Sequence, residues 1–226
     1  MDPDFIQHLI ACRQCPRLVA YLRQLPPKGQ RRRADYWNRP VPGFGDPAAR
    51  VLLVGLAPGA HGANRTGRPF TGDGAGDFMY PLLHRAGFAS QAEAVHGEDG
   101  LRLSDLFISN AVKCAPPLNK PNAEEFACCR PYLARELVSL PQVQVVLALG
   151  REAFLSCLRL FKAQEMIPSL KAYPFEHGRC YPLENGLTLV ASYHTSRYNV
   201  QTGRVTETMF LRLLQQVRRL LAGENG

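Results

Sequence analysis

Four short apolar runs constrain this chain more than any other feature. Val51–Leu56, Leu106–Val112, Val143–Leu149 and Leu187–Ser192 are rich in Val, Leu, Ile and Ala, and each gives way to glycine or polar residues. Runs of this length without polar alternation belong to strands buried on both faces. Helical patterns separate them, at Gly74–Ala86, at Asn122 or Ala123 to Leu140, and from Arg151 through Leu160. An amphipathic helix over Thr206–Ala222 closes the chain. Strands alternating with helices predict an α/β protein, a three-layer α/β/α sandwich with a mainly parallel central sheet. Ahead of the first strand, Asp4–Gln24 reads as one helix stopped by Pro26-Pro27, and a loop rich in Arg, Pro and Gly runs on to Asp46. The 226 residues carry no repeats, low-complexity tracts or convincing linkers between domains, so residues 1–226 read as a single domain.

In such sheets ligands bind beyond the carboxyl ends of the strands. The loops that should meet there, Gly55–Asp73, Cys114–Pro121 and Tyr193–Gly203, are also the most unusual stretches of the sequence. The chain has no basic segment followed by an apolar one at its start, and glycine or proline breaks Val51–Ala60 and Val143–Gly150. The expectation is therefore a cytoplasmic protein, away from the membrane, with its thiols reduced. A net charge of +8, from 27 basic and 19 acidic residues, suggests a polyanionic partner. The basic run Lys28, Arg31, Arg32, Arg33 reads mostly as a solvated linker.

Seven cysteines in a reducing compartment point to metal binding or burial before disulfides. Cys12 and Cys15 lie three residues apart, on one face of the expected first helix. Cys114 opens a Pro-Pro turn, and Cys129 falls in the next helix. Four thiolates suit tetrahedral zinc or a [4Fe–4S] cluster. A zinc ribbon would show two tight pairs, whereas 14 residues separate the second pair here. Cys128, beside Cys129, leaves the fourth ligand open from spacing alone. Cys157 and Cys180 read as small buried hydrophobes. The loop Gly55-Leu-Ala-Pro-Gly-Ala-His-Gly62 is neither a P-loop nor a dinucleotide fingerprint, but its glycines would let backbone N–H groups approach a ligand closely.

Four stretches together resemble a known family. Gly-Leu-Ala-Pro-Gly-Ala-His-Gly (55–62), Asn-Arg-Thr-Gly-Arg-Pro-Phe-Thr-Gly-Asp (64–73), Lys-Cys-Ala-Pro-Pro-Leu-Asn-Lys-Pro (113–121) and Ser-Tyr-His-Thr-Ser-Arg-Tyr-Asn (192–199) look like the type-5, or type b, uracil-DNA glycosylases. The resemblance spans nearly the whole chain, in order. It implies a four-stranded parallel sheet, a [4Fe–4S] cluster, and excision of uracil and other deaminated bases, such as hypoxanthine or xanthine, from DNA. It also implies Cys12, Cys15, Cys114 and Cys129 as the cluster ligands, with Cys128 a neighbour.

Base excision requires an enzyme to flip the base out, hold its edge, stabilise the leaving anion and orient water. Phe70 is the expected stacking platform, and backbone N–H groups around Ala57, Gly59 and Ala60 are expected to grip base oxygens. His194, like its family counterpart, would donate to uracil O2. Other uracil enzymes carry a polar residue where this chain has Ala57 to Ala60, and the type-5 pattern shares that absence. Asp73 is then the nearest carboxyl group for orienting water, against a helix-capping role. Asn119 would serve the water or the DNA backbone. Asn110 departs from the alanine common in type-5 members and matches the asparagine with which type-4 enzymes read the uracil edge. An amide there implies narrower specificity for uracil. Arg65, Arg68, Lys120, Arg197, Asn199, Gln201 and Thr202 are expected DNA contacts, with the loop after His194 able to wedge the gap left by a flipped base. No lysine is obviously placed as a Schiff-base nucleophile, so a monofunctional, monomeric enzyme is expected. The competing readings are a non-catalytic iron–sulfur nucleic-acid-binding module and a small redox carrier.

Overall fold

A proline sets the first departure from these expectations. In the computed structural model, which describes residues 1–223, the N-terminal helix is broken into α1 (Pro3–Ala11) and α2 (Pro16–Gln24). Pro16 occupies the first turn of α2, and the residue before a proline avoids the helical region. Cys15 is accordingly extended, at φ −108° and ψ 93°, and Cys12 leaves α1 at ψ 136°. Both cysteines thus lie at the link between two helices, not on one helix face.

The chain then runs through β1 (Phe44–Gly45), β2 (Val51–Gly55), α3 (Ala63–Thr66), α4 (Gly74–Arg85), β3 (Leu106–Asn110), α5 (Ala123–Val138), β4 (Val145–Leu149) and α6 (Arg151–Ala163). It finishes with β5 (Cys180–Pro182), β6 (Thr188–Ser192), α7 (Arg197–Gln201) and α8 (Glu207–Leu221). The sheet order is β1-β3-β2-β4-β6-β5. β3, β2, β4 and β6 are parallel, as expected, whereas β1 and β5 add antiparallel edges. The expected four strands are therefore six among the described residues. Phe-Gly and Cys-Tyr-Pro are too short to register as apolar runs, and pairing to a buried neighbour makes them strands.

Successive residues along a strand face opposite sides. Leu52, Val54, Val146, Ala148 and Leu189 meet Phe126 and Leu133 of α5 and Phe154 and Phe161 of α6. Val51, Leu53, Val145, Leu147 and Val190 meet Met79 and Leu83 of α4 and Phe210 and Leu214 of α8. Both faces are covered, which gives the three layers. Helix starts are fixed by side chains: Asn122 and Glu125 form a capping box on α5 with bonds of 2.9 and 2.8 Å. Asp73 caps α4. The parallel strands release their loops toward one edge of the sheet, where β2 has β3 on one side and β4 on the other.

Candidate active site and thiol centre

At that edge a cavity of about 390 Å³ opens between the loops after β2, β3 and β6. Ala57, Gly59, Phe70, Asp73, Asn110, Asn119, His194 and Arg197 all line it, so most of the expected site residues come together. Gly55, the last residue of β2, makes this possible. A Cβ there would collide with the Asn110 amide oxygen and the Phe70 ring. Phe70 is held in the left-handed region at φ 53°, and its carbonyl sits where a Cβ on Gly76 would be. Such a conformation costs about 1–2 kcal/mol for a non-glycine residue. The Phe70 and His194 rings stand 6.3 Å apart, inclined at 37°.

Asn110 is 2% exposed, and its Oδ1 has no hydrogen-bond partner. An orphaned buried acceptor costs about 1–3 kcal/mol, which a ligand N–H would recover. Asp73 divides its two oxygens. Oδ1 accepts from the N–H groups of Ala75 and Gly76, both at 3.1 Å. Oδ2 lies against the glycine-rich loop, where a Cβ on Gly59 would be 3.0 Å away and one on Gly62 would collide. Capping thus uses one oxygen and leaves the other against the glycine-rich loop.

His194 leaves β6 beside Gly150, whose φ of 89° and close approach exclude a side chain: a Cβ would lie 3.1 Å from His194 Cβ. Burial lowers the His194 pKa below its ordinary value, keeping the imidazole neutral at pH 7. Asn199 is half-buried. Its Nδ2 donates to the His194 carbonyl at 2.8 Å and so fixes the backbone that carries the imidazole. Arg197 stands exposed at the rim against Gly74. Lys120, Gln201 and Thr202 are exposed. Arg65 is half-buried and donates to His61 O at 3.1 Å, and Ala60 lies outside the cavity, its carbonyl accepting from Asn64 at 3.2 Å.

Arg68 corrects an expectation. Only 4% exposed, it makes bonds of 2.8 and 2.6 Å to Asp99 and lies over the Phe44 ring. Burial raises the Asp99 pKa, but hydrogen bonds from Arg68 and from the N–H groups of Val95 and Leu101 outweigh it and hold the carboxyl well below the usual range. The guanidinium braces the Phe70 loop from within; it is not a DNA contact. A second buried pair escaped sequence reasoning. Lys113 Nζ lies 2.5 Å from both Glu136 Oε2 and Ser109 Oγ, with lysine and glutamate side chains 2% and 0% exposed. Ser109 precedes Asn110 and Lys113 precedes Cys114, so the pair ties the end of β3 down between two functional regions. The only signals were a lysine and a serine within an apolar run.

The second region is a small, partly open cavity lined by Cys12, Cys15, Cys114, Cys128 and Cys129, together with Leu9, Pro40 and Tyr132. All five thiols are free. Burial pushes Cys129 up to about 11 and Cys15 up to about 12, and raises Cys114 further; neighbouring thiolates add to each. These thiols can ionise together only around positive charge. Four sulfur donors in an apolar enclosure fit a thiolate-ligated metal group. Among the described residues, no three His, Cys, Asp or Glu side chains are set to hold a single ion. Cys157 is fully buried in α6 as expected, but Cys180, on the β5 edge, is only half-buried.

A parallel-sheet fold carrying this cavity is that of the uracil DNA glycosylase superfamily, whose family model matches residues 42–218. The type-5 uracil-DNA glycosylase of Thermus thermophilus is 53% identical over 222 residues, covering 97% of this chain and 99% of the relative. That of Mycobacterium leprae is 40% identical over 222 residues, covering 96% and 95%. The type-4 uracil-DNA glycosylase of Pyrobaculum aerophilum is 34% identical over 148 residues, covering 65% and 64%. The chain belongs to the uracil DNA glycosylase superfamily, on its type-5 branch.

Proposed function

We infer that this protein is a DNA-repair hydrolase that cleaves the N-glycosidic bond of uracil in DNA and leaves an abasic site. The observation that carries the reading is the unpartnered Asn110 amide oxygen, buried in the same cavity as the Phe70 ring and the neutral His194. The flipped base stacks on Phe70, and the Asn110 amide takes N3–H and O4. Backbone N–H groups near Ala57 and Gly59 hold its oxygens. As the C1′–N1 bond breaks, the electron pair goes to the base, and His194 donates to O2 to stabilise the anion. Asp73, through the oxygen not used for capping, and Asn119 orient the water that adds to C1′. Its proton leaves with solvent or the base anion. Lys113 is committed to Glu136, and Lys120 is exposed, so no lysine acts as nucleophile; the enzyme is monofunctional.

Arg65, Lys120, Arg197, Gln201 and Thr202 meet the DNA backbone, whose charge the +8 protein complements. Cys12, Cys15, Cys114 and Cys129 hold a [4Fe–4S] cluster, which when bound cross-links the α1–α2 link to the loop after β3. Hypoxanthine and xanthine are weaker substrates, because Asn110 favours the uracil edge. Residues 1–226 act as one domain and as a monomer, in the cytoplasm; no helix among the described residues is long and apolar enough to cross a membrane.

Base release from matched duplexes carrying one uracil or one hypoxanthine, followed by alkaline cleavage, tests this reading. Strand cleavage that His194→Ala strongly reduces is expected. No cleavage from protein with its iron and sulfide intact would leave a nucleic-acid-binding module as the better account.

A further inference from the structure

Leu118 is 84% exposed, the most exposed large hydrophobic residue among those described, and its backbone is left-handed at φ 55°. Asn119 is left-handed as well, at φ 56°. Two successive non-glycine residues in this region are a local strain. Burial gives no return for it, because the leucine side chain lies in solvent.

The loop that presents Leu118 is stiff. Pro116, Pro117 and Pro121 flank it, Asn119 N donates to Pro116 O at 3.2 Å, and Lys120 N donates to Pro117 O at 3.1 Å. Arg17, held on Glu125 by bonds of 2.7 and 2.6 Å, also donates to Lys120 O at 3.1 Å. A rigid loop thus projects one apolar side chain beside Asn119, which lines the base cavity. Tyr198, 72% exposed on α7, stands on the opposite lip, beyond β6. β3 and β6 are separated by β2 and β4, which puts the lips roughly 14 Å apart at the usual strand spacing. One vacated base step, about 3.4 Å along a strand, cannot take both prongs.

We propose that Leu118 is a wedge that enters the duplex from the β3 side and displaces the base opposite the lesion while the flipped base occupies the cavity. Apolar side chains inserted between base steps unstack them in this way. The proposal rests on the glycosylase reading above. It makes Leu118 a positioning residue needed for paired DNA and dispensable where no opposite strand exists.

Excision of uracil from a U·A duplex and from the same strand alone separates the two readings. In Leu118→Ala the ratio of duplex to single-strand rate falls about tenfold, equivalent to about 1.4 kcal/mol, and Leu118→Met restores it. Equal loss on both substrates, or none on either, overturns the wedge and leaves the glycosylase intact; no excision by the wild type from either substrate overturns the glycosylase. Where single-strand turnover is too slow to give a ratio, saturating binding to an abasic-analogue duplex with 2-aminopurine opposite decides. Leu118→Ala then shows clearly less fluorescence gain than wild type, and an equal gain sinks the wedge.

Discussion

The base cavity and the thiol centre sit at opposite ends of the segment from Asn110 to Cys114, and both contain polar groups without partners, yet they are kept open differently. Gly55 and Gly150, the Asp73 cap and the Arg68–Asp99 pair hold the base cavity in shape. No ligand is needed for that geometry, so binding there meets a pre-formed surface. In the thiol centre, burial and neighbouring thiolates push the pKa values of Cys15, Cys114 and Cys129 upward. Lys113 at Cys129 and Arg13 at Cys114 offset this only in part, so the ionised, converged state calls for a further positively charged group. One region should therefore work for function at some expense to stability, and the other should supply stability through whatever group the proposed thiolate ligands hold.

The sharpest break in that comparison is Cys114→Ser. If the bound group contributes as a ligand a thousandfold above its Kd does, about 4 kcal/mol disappears. The Tm should then fall by roughly 10 °C, at 2–4 °C per kcal/mol for a chain of this size. Thermal melts beside iron and sulfide assays check this; an unchanged Tm with iron lost would make the thiol centre an accessory. His194→Ala should do the reverse, lowering kcat about 10²–10³-fold, or about 2.7–4 kcal/mol, while the melt stays within a few degrees. Single-turnover kinetics would show it.

Asn110→Ala sharpens the contrast at smaller scale. The uracil-to-hypoxanthine rate ratio should drop about tenfold, near 1.4 kcal/mol, without loss of Tm, since a buried acceptor with no partner is removed. A lower Tm would reveal a structural bond. The smallest effect is on pH. Burial lowers the pKa values of His61, His177 and His194. In the unfolded chain they gain protons below about pH 6.5 that the folded chain refuses, so stability is full above that value and declines as pH falls through it. Asp99 and Asp105, held below the carboxylate range, withhold their own loss until lower pH. Melts between pH 7 and pH 5 should fall gently, and less so in His177→Gln. A flat profile would place these histidines in equivalent environments folded and unfolded.

What the sequence made legible follows from how local each signal is. The four parallel strands announce themselves because strands buried on both faces need continuous apolar residues. Phe70, Asp73, Asn119 and His194 fall in the three loops that the topology delivers to one edge, so their meeting follows from strand order. Edge strands β1 and β5 escaped because their pairing energy lies in their neighbours. Arg68 misled because an arginine amid Gly, Pro and Thr resembles a solvent-facing loop residue, and its partner Asp99 is 31 positions away. The split between the two Asp73 oxygens, one capping α4 and one against the glycine-rich loop, was invisible, since sequence names a side chain but does not allot its atoms. The helix break was readable in Pro16, but helical spacing of the leucines on either side obscured it.

The thiols also impose an order of events on biosynthesis. Cys12 and Cys15 leave the ribosome about a hundred residues before Cys114 and Cys129. The early pair must wait, reduced and unpaired, until α5 exists to bring the late pair to it, and the intervening loop must close before the site is whole. Any group that needs all four sulfurs can enter only after β2, α4 and β3 have been made. Maturation of the centre would then report that the parallel sheet has already begun to assemble, acting as a late checkpoint on a nascent chain.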